Sequence, residues 1–378
     1  MEILKVPQGE FKLARYPFRK NELLRAWDAA DEYLLNHFHT TEHENGALNL
    51  LIVNEGFGAL STALAKHHIT LWTDSFLTTR AVSQNFSGNG INADQITIRN
   101  SIESVKGDYD YVLIKIPKSL AFLEDQLARI KPYISSATKI IAAGMAKSIH
   151  TSTLKLFEKY IGKTKTSLAK KKARLIFSQN EKNIKVQKSP FPKSFILEGT
   201  EFNIINHANV FSREKLDIGT RFFLQHLPQS EKYKTIIDLA CGNGVVGLLA
   251  AIKNPSATVL FIDESFMAVE SARKNFSNAK DISNNAEFSA NDCLQNVEKG
   301  SADLILNNPP FHQNNAVGDE VAWRMFSQSF SVLKPGGELW VIGNRHLAYH
   351  IKLKKLFSNC ETIASNKKFV ILKSVKLI

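Results

Sequence analysis

Ile236-Ile237-Asp238-Leu239-Ala240-Cys241-Gly242-Asn243-Gly244 is a short apolar run that ends in an acid and breaks into a glycine turn. Val245 to Ile252 follows, apolar, without proline and without glycine after Gly247. That order predicts a strand, a tight turn and a helix. Glycines at such a turn let the backbone approach a ligand, and a helix start offers unpaired N–H groups. A second apolar run, Thr258 to Ile262, ends in Asp263, placed to accept hydrogen bonds from ribose hydroxyls. A third, Ala302 to Leu306, runs into Asn307-Asn308-Pro309-Pro310-Phe311. In an open α/β sheet, ligands sit outside the carboxyl ends of the strands, so Asn308 is expected beside whatever the glycine turn holds.

Two readings of the turn compete. Gly242, Gly244 and Gly247 fit G-x-G-x-x-G, with Asp263 near the expected distance, which is the dinucleotide fingerprint and weak by itself. Asp238 argues against it, because a carboxylate there repels a pyrophosphate and attracts an ammonium. The Asn-Pro-Pro-Phe phrase points the same way, since it offers carbonyls to an exocyclic amine. Together these favour S-adenosylmethionine as the cofactor.

The motifs also carry a resemblance. Asp238 to Gly244 looks like motif I of class I S-adenosylmethionine-dependent methyltransferases, and Asn308 to Phe311 resembles the N-P-P-[FY] motif of enzymes that methylate nitrogen conjugated to a π system. Asn206-His207-Ala208-Asn209-Val210-Phe211-Ser212, Leu216-Asp217-Ile218-Gly219 and Arg221-Phe222-Phe223 are similar to the two-domain ribosomal RNA guanine-N2 methyltransferases. Trp27 to Leu35 and Lys367-Lys368-Phe369-Val370 fit as well. The likeness spans essentially the whole chain. It is closest to the large-subunit (23S) rRNA member, with the small-subunit member a near neighbour.

The resemblance implies two tandem class I methyltransferase (Rossmann-like) α/β domains, each a mostly parallel sheet with an antiparallel terminal hairpin. It implies that Asp238, Gly242, Gly244, Asp263, Asp292 and Asn308 hold S-adenosylmethionine. Asp292, in Asn291-Asp292-Cys293, stands where methyltransferases place an acid that accepts from the adenine amino group; an Asx turn is the competing reading. The implied reaction is methylation of the N2 amine of a guanine in 23S rRNA, with Asn308, Pro309, Pro310 and Phe311 catalytic. The Asn308 side-chain carbonyl and the Pro309 carbonyl would each accept one amine hydrogen, turning the lone pair outward. Phe311 would stack on the base. Other readings stay open: a 16S rRNA guanine, protein glutamine or DNA adenine as the amine, a non-catalytic RNA-binding ribosome assembly factor, or a dehydrogenase. His207 to Gly219 is expected either to lie over the cofactor or substrate, or to cap a helix over Thr220 to His226. His207 alone reads as structural.

A chain of 378 residues, 44% of them hydrophobic, can bury two cores. The formal charge of +12 fits a polyanionic partner, and nucleic acid is the commonest. Met1 to Tyr16 carries charges throughout and does not read as a signal peptide, and no apolar run has membrane-spanning length. Cys241, Cys293 and Cys360 form neither a metal pattern nor a disulfide framework, so a cytoplasmic protein without metal or membrane is expected. Cys241 reads as a small filler.

The first half looks like a worn copy of the second. Leu50 to Val53, Gly56-Phe57-Gly58 and Ala59 to Ala65 parallel Ile236 to Ala251; Trp72-Thr73-Asp74 parallels Phe261-Ile262-Asp263; Lys115-Ile116-Pro117-Lys118 parallels Asn307-Asn308-Pro309-Pro310. Matches in one order indicate a duplicated domain. The copy has lost chemistry: Ile52 stands for Asp238, Ser61 for Gly247, and Lys115-Ile116-Pro117-Lys118 for Asn307-Asn308-Pro309-Pro310, where a lysine is expected to repel a sulfonium. We expect a degenerate domain over 1–180 that binds no S-adenosylmethionine and recognises RNA, a linker over 181–193, and a catalytic domain over 194–378. Lys163, Lys165, Lys170, Lys171, Lys172 and Arg174 are its candidate RNA-binding residues, with a solvated charged face as the bland alternative. Asp74 reads as structural.

Overall fold

The computed structural model describes residues 2–18, 22–41, 46–280, 282–310 and 316–377, with backbone only for 316–319. The chain divides into two compact units, Met1–Phe191 and Pro192–Ile378.

In the second unit an antiparallel pair, β10 (Lys193–Ile196) and β11 (Asn203–Asn206), precedes the short helix α6 (Ile218–Leu224). Strands and helices then alternate: β12 (Thr235–Leu239), α7 (Val245–Lys253), β13 (Thr258–Asp263), α8 (Phe266–Asn278), β14 (Ala286–Ala290), β15 (Ala302–Asn307), α9 (Ala316–Val332), β16 (Leu333–Asn344) and α10 (Tyr349–Phe357). The chain closes with β17 (Glu361–Ser365) and β18 (Phe369–Val375). The seven-stranded sheet has the order β14-β13-β12-β15-β16-β18-β17. Its first five strands are parallel, and β18 runs antiparallel to both β16 and β17. The strands are nearly continuous apolar runs because helices cover both faces. The order reverses at β12 and β15, so the glycine turn and Asn308 leave the sheet side by side.

The first unit repeats this plan. Its hairpin is β1 (Glu2–Val6) with β2 (Gly9–Leu13), followed by α1 (Ala29–Thr41). Then come β3 (Asn49–Val53), α2 (Ala59–Ala63), β4 (His68–Thr73), α3 (Phe76–Gly88), β5 (Ile96–Asn100) and β6 (Tyr111–Lys115). α4 (Leu120–Ile130), β7 (Lys139–Met145), α5 (Thr151–Tyr160), β8 (Thr164–Thr166) and β9 (Ala173–Ser178) complete it. The order β5-β4-β3-β6-β7-β9-β8 matches the second sheet strand for strand.

Several boundaries differ from expectation. The helix expected over Thr220–His226 starts at Ile218, because the Asp217 carboxylate accepts from the Thr220 N–H at 3.0 Å and sets the start two residues earlier. The turn Lys334–Gly337 lies inside β16 as a bulge: Leu333 pairs with Ala302 and Glu338 with Leu304. α10 begins at Tyr349, after a 3-10 turn and a left-handed Ala348. The segment expected to be a linker is tied down along much of its length. Lys131 Nζ donates to the Glu181 carbonyl at 3.0 Å, and Ser189 Oγ donates to Asp125 at 2.6 Å.

Lys115 corrects a further expectation. It does not stand as a bare positive charge at the end of β6: its ammonium lies 2.7 Å from both Asp28 and Asp31 at the start of α1. Asp31 is buried, so removing the lysine strands a carboxylate in apolar surroundings. Lys115→Met is expected to destabilise the first unit by about 3 kcal/mol. Urea unfolding followed by circular dichroism checks this, and an unshifted midpoint contradicts it.

Candidate active site

The glycine turn is shaped by two steric facts. Gly244 starts α7 at a φ of +78°, and a Cβ there would lie 2.6 Å from the Ala272 Cβ. Gly247 sits against the Phe261 ring, 2.3 Å from where its Cβ would be. A Cβ on Gly242, at φ +55°, would meet nothing within 4 Å. The turn therefore packs tightly against α8 and β13 through Gly244 and Gly247 and faces open space at Gly242. Cys241 is buried in the apolar cluster beneath, as a filler, and burial holds its thiol well above the ordinary range.

Two carboxylates back this turn. Asp238, at the end of β12, is buried and accepts from the Gly247 N–H at 2.8 Å. Burial pushes its pKa up to about 7, the Gly247 N–H opposes the rise and the charge of Asp263 adds to it. Asp263, at the end of β13, accepts from Gly242 N–H at 2.9 Å and from Ser265 N–H at 3.0 Å. Burial raises its pKa too, against these backbone donors. Both acids thus hold the turn in place and have gathered negative charge in a low-dielectric site, an arrangement that favours a cation.

Asn308 follows β15. Its Nδ2 donates to Thr220 Oγ1 at 3.1 Å, and the Thr220 hydroxyl reaches Asp217 Oδ2 at 3.5 Å. An ionised carboxylate only accepts, so the threonine hydrogen goes to Asp217 and its lone pair faces Asn308. This fixes which end of the amide is which. The Asn308 Oδ1 is buried and has no hydrogen-bond partner among the described residues. An acceptor left that way costs free energy unless a ligand donor fills it. Pro309 is buried and Pro310 exposed; Phe311 lies outside the described residues. Neighbouring Asn307 donates to the Leu239 carbonyl at 2.9 Å and ties β15 to β12 just below the site.

Asp292 lies beyond β14, its carboxylate ion-paired with Arg324 of α9 at 2.8 Å. Its neighbour Asn291 makes the local side-chain bond, accepting from the Asp292 N–H at 2.9 Å. Sequence reasoning missed Thr220 and Arg324. Thr220 carried a signal, since it follows a helix-capping aspartate by three residues; a single arginine within a helix carries none. The stretch from Asn206 is anchored on the site: Asn243 Nδ2 donates to Asn206 Oδ1 at 2.9 Å, and His207 Nδ1 lies 2.8 Å from Ser271 Oγ. His207 Nε2 lies 3.4 Å from Lys274 Nζ, and Asp217 caps α6.

The same places in the first unit are filled differently. Gly58 starts α2 at φ +86° as Gly244 starts α7, but Ile52 is apolar. The carboxylate of Glu55 instead accepts from the Leu60 and Ser61 N–H groups at 3.0 and 3.1 Å and from the Ser61 hydroxyl. Burial pushes Glu55 up to about 7. Asp74 accepts from Ser101 Oγ at 2.5 Å, a structural contact. Among the candidate RNA-binding residues, Lys171 pairs with Glu32 at 2.7 Å and Lys170 stands over the Tyr33 ring. Lys171 and Lys172 both have positive φ, forming a hairpin tip between Lys170 and Ala173; Arg174 is exposed just beyond it. Lys163 and Lys165 line a cleft. The described residues contain no cluster of three potential metal ligands, and no described helix is long and apolar enough to cross a membrane.

Comparison with known proteins gives two family matches, the RLMG N-terminal domain over residues 1–182 and the methyltransferase small domain over residues 201–373. A ribosomal RNA large subunit methyltransferase G of Pseudoalteromonas translucida is 48% identical, covering 97% of this chain and 96% of its own. One from Streptomyces coelicolor is 46% identical, covering 98% and 99%. Among solved structures, the 16S rRNA N2 G1207 methyltransferase of T. thermophilus, in complex with AdoMet and guanosine, aligns at a TM-score of 0.77. It is 19% identical and covers 99% of this chain and 97% of its own, so it shares the two-unit fold.

Gly247 gives a test of the packing. Gly247→Ala forces Phe261 to move, and the second unit is expected to lose about 2 kcal/mol. Thermal unfolding should show its transition lowered, with that of the first unit unchanged.

Proposed function

The chain belongs to the ribosomal RNA large subunit methyltransferase G family, and from that premise we propose that its second unit methylates the exocyclic N2 amine of a guanine in 23S rRNA. Family membership makes it an S-adenosylmethionine-dependent rRNA methyltransferase. The base, the amine and the residues that act on them are our reading.

The residues fit the cofactor. A turn open at Gly242 and two buried carboxylates suit a ligand with an ammonium and ribose hydroxyls. Asp238 would take the ammonium, Asp263 the ribose, and Asp292, held by Arg324, the adenine amino group. When bound, the cofactor supplies an electrophilic methyl group on a sulfonium.

The observation that carries the choice of amine is the buried, unpartnered Oδ1 of Asn308. A guanine N2 is a poor nucleophile because its lone pair is delocalised into the ring. Asn308 Oδ1 accepts one amine hydrogen and the Pro309 carbonyl the other, which leaves the lone pair directed away from both. Thr220 prevents the amide from presenting its NH2 end instead. Two prolines stiffen the segment, so the acceptors are set before the base arrives. Phe311 would stack on the base. The alkylated amine is acidic, so proton loss needs no strong base.

Methyl transfer from labelled cofactor to unmodified 23S and 16S rRNA, followed by nucleoside analysis, tests this reading. Label in N2-methylguanosine of 23S rRNA is expected. Label confined to 16S rRNA supports the small-subunit alternative, and label on an adenine rejects the assignment of the amine.

Asn308→Ala should lower kcat by about a hundredfold or more with cofactor affinity kept. Thr220→Val should lower kcat by about tenfold, the cost of one misdirected hydrogen bond, and Thr220→Ser should restore it. An unchanged kcat in folded Asn308→Ala protein contradicts the proposal.

Asp238 predicts a pH dependence. Its folded pKa of about 7 lies above the ordinary 3.8, so the free second unit gains stability from protonation at low pH and loses it as pH rises through about 7. A bound ammonium favours the ionised form, so cofactor affinity should run the other way and weaken as pH falls below about 7. Calorimetric titration at pH 6 and pH 8 checks the sign, and Asp238→Asn should abolish the difference.

A further inference from the structure

The two sheets can be compared position by position. In the second unit, Glu338 stands opposite Val375, Trp340 opposite Lys373, and Lys373 opposite Glu361. In the first unit, Ile141 stands opposite Phe177, Phe177 opposite Lys165, and Lys139 begins β7 as the counterpart of Glu338. Directly opposed residues share a sheet face, as do residues two apart. Lys139, Ile141, Lys165, Phe177 and Gln179 therefore lie on one face, and Lys163 joins them two residues before Lys165.

The second unit uses this face internally. Glu338 is engaged by Lys232, Tyr233 and Trp340, and Lys373 pairs with Glu361 at 2.6 Å. In the first unit both acids are replaced by lysines, Lys139 and Lys165, and the paired lysine by an aromatic ring, Phe177. There the face borders a cleft of about 850 Å³ beside the end of α1. Lys139, Lys163, Lys165, Phe177, His37 and Gln179 line it, and among the described residues no carboxylate does. Phe177 is half-buried, with the His37 ring 4.9 Å away, and Lys163 and Lys165 are exposed.

A half-open aromatic ring flanked by cations is what an unpaired nucleotide needs: a surface on which the base stacks and charges for its phosphates. We propose that this cleft is a binding site for single-stranded RNA, in which a base stacks on Phe177 and adjacent phosphates meet Lys163 and Lys165. The proposal deepens the rRNA reading above and rests on it: the cleft engages an unpaired segment of the same substrate. Lys139 already donates to the Tyr111 hydroxyl at 2.9 Å, so it adds charge from a fixed position.

The test uses the full-length protein and fluorescence anisotropy with a single-stranded rRNA oligonucleotide and a duplex of matching length. Lys163→Glu/Lys165→Glu should weaken single-strand binding by about tenfold or more and make the slope of log affinity against log salt shallower by about 1.4. Lys106→Glu/Lys147→Glu, an equal charge change at exposed residues elsewhere in the first unit, should have a much smaller effect. Phe177→Leu should weaken single-strand binding by about tenfold with the salt slope kept, and Phe177→Trp should restore it. In methyl transfer to 23S rRNA, the lysine variant should raise KM and leave kcat at saturation unchanged. A lysine variant that binds like its charge control, or that loses duplex and single strand equally, overturns the site while leaving the catalytic reading intact. Wild-type protein that transfers no methyl to rRNA overturns that reading and this one with it.

Discussion

The structure turns on how the start of one helix grips the end of one strand. In the second unit, Asp217 at the start of α6 holds Thr220, Thr220 holds the amide nitrogen of Asn308, and the amide oxygen is left buried without a donor. Two contacts thus convert a flexible carboxamide into a directed acceptor. The sheet supplies the other half of the constraint. Because β12 and β15 are neighbours, with Asn307 paired to Leu239, the acceptor emerges beside the glycine turn and its two buried acids. Under the function proposed above neither half would work by itself, since an acceptor without a neighbouring cation site, or the reverse, brings no reactants together.

The first unit shows the same grip put to another use. Asp28 and Asp31 stand at the start of α1 with the spacing that Asp217 and Thr220 have at the start of α6. They hold Lys115 at the end of β6, as α6 holds the residue after β15. Glu55 occupies the turn that Asp238 supports in the other copy, and from within the loop it satisfies the N–H of Ser61, the counterpart of Gly247, together with that of Leu60. The first unit keeps its fold with an apolar Ile52 because Glu55 takes the backbone donor of Ser61, the counterpart of Gly247. An unreplaced carboxylate would have left buried donors unpaired.

Much of this was legible in the sequence. Period and punctuation mark the strands, since a parallel sheet buried on both faces writes itself as apolar runs ending in acids and glycines. The duplication is readable because the same order of signals recurs, and the two sheets repeat it strand for strand. Asn308, Asp238 and Asp263 are visible because they stand at strand ends. What escaped is of another kind. Thr220, Arg324, Asp28 and Asp31 act through partners far away in sequence, and no local pattern announces such a contact. Lys115 could be seen as a charge, but its neutralisation by α1 could not. The start of α6 slipped because a capping side chain decides it, and apolar periodicity does not report that.

The pairing of Lys115 with two aspartates has a historical consequence. Restoring an aspartate at Ile52 alone would add a buried charge to a turn that Glu55 already serves, and replacing Lys115 alone would strand Asp31. Each of these single changes passes through a less stable protein, so the present pairing acts as a ratchet.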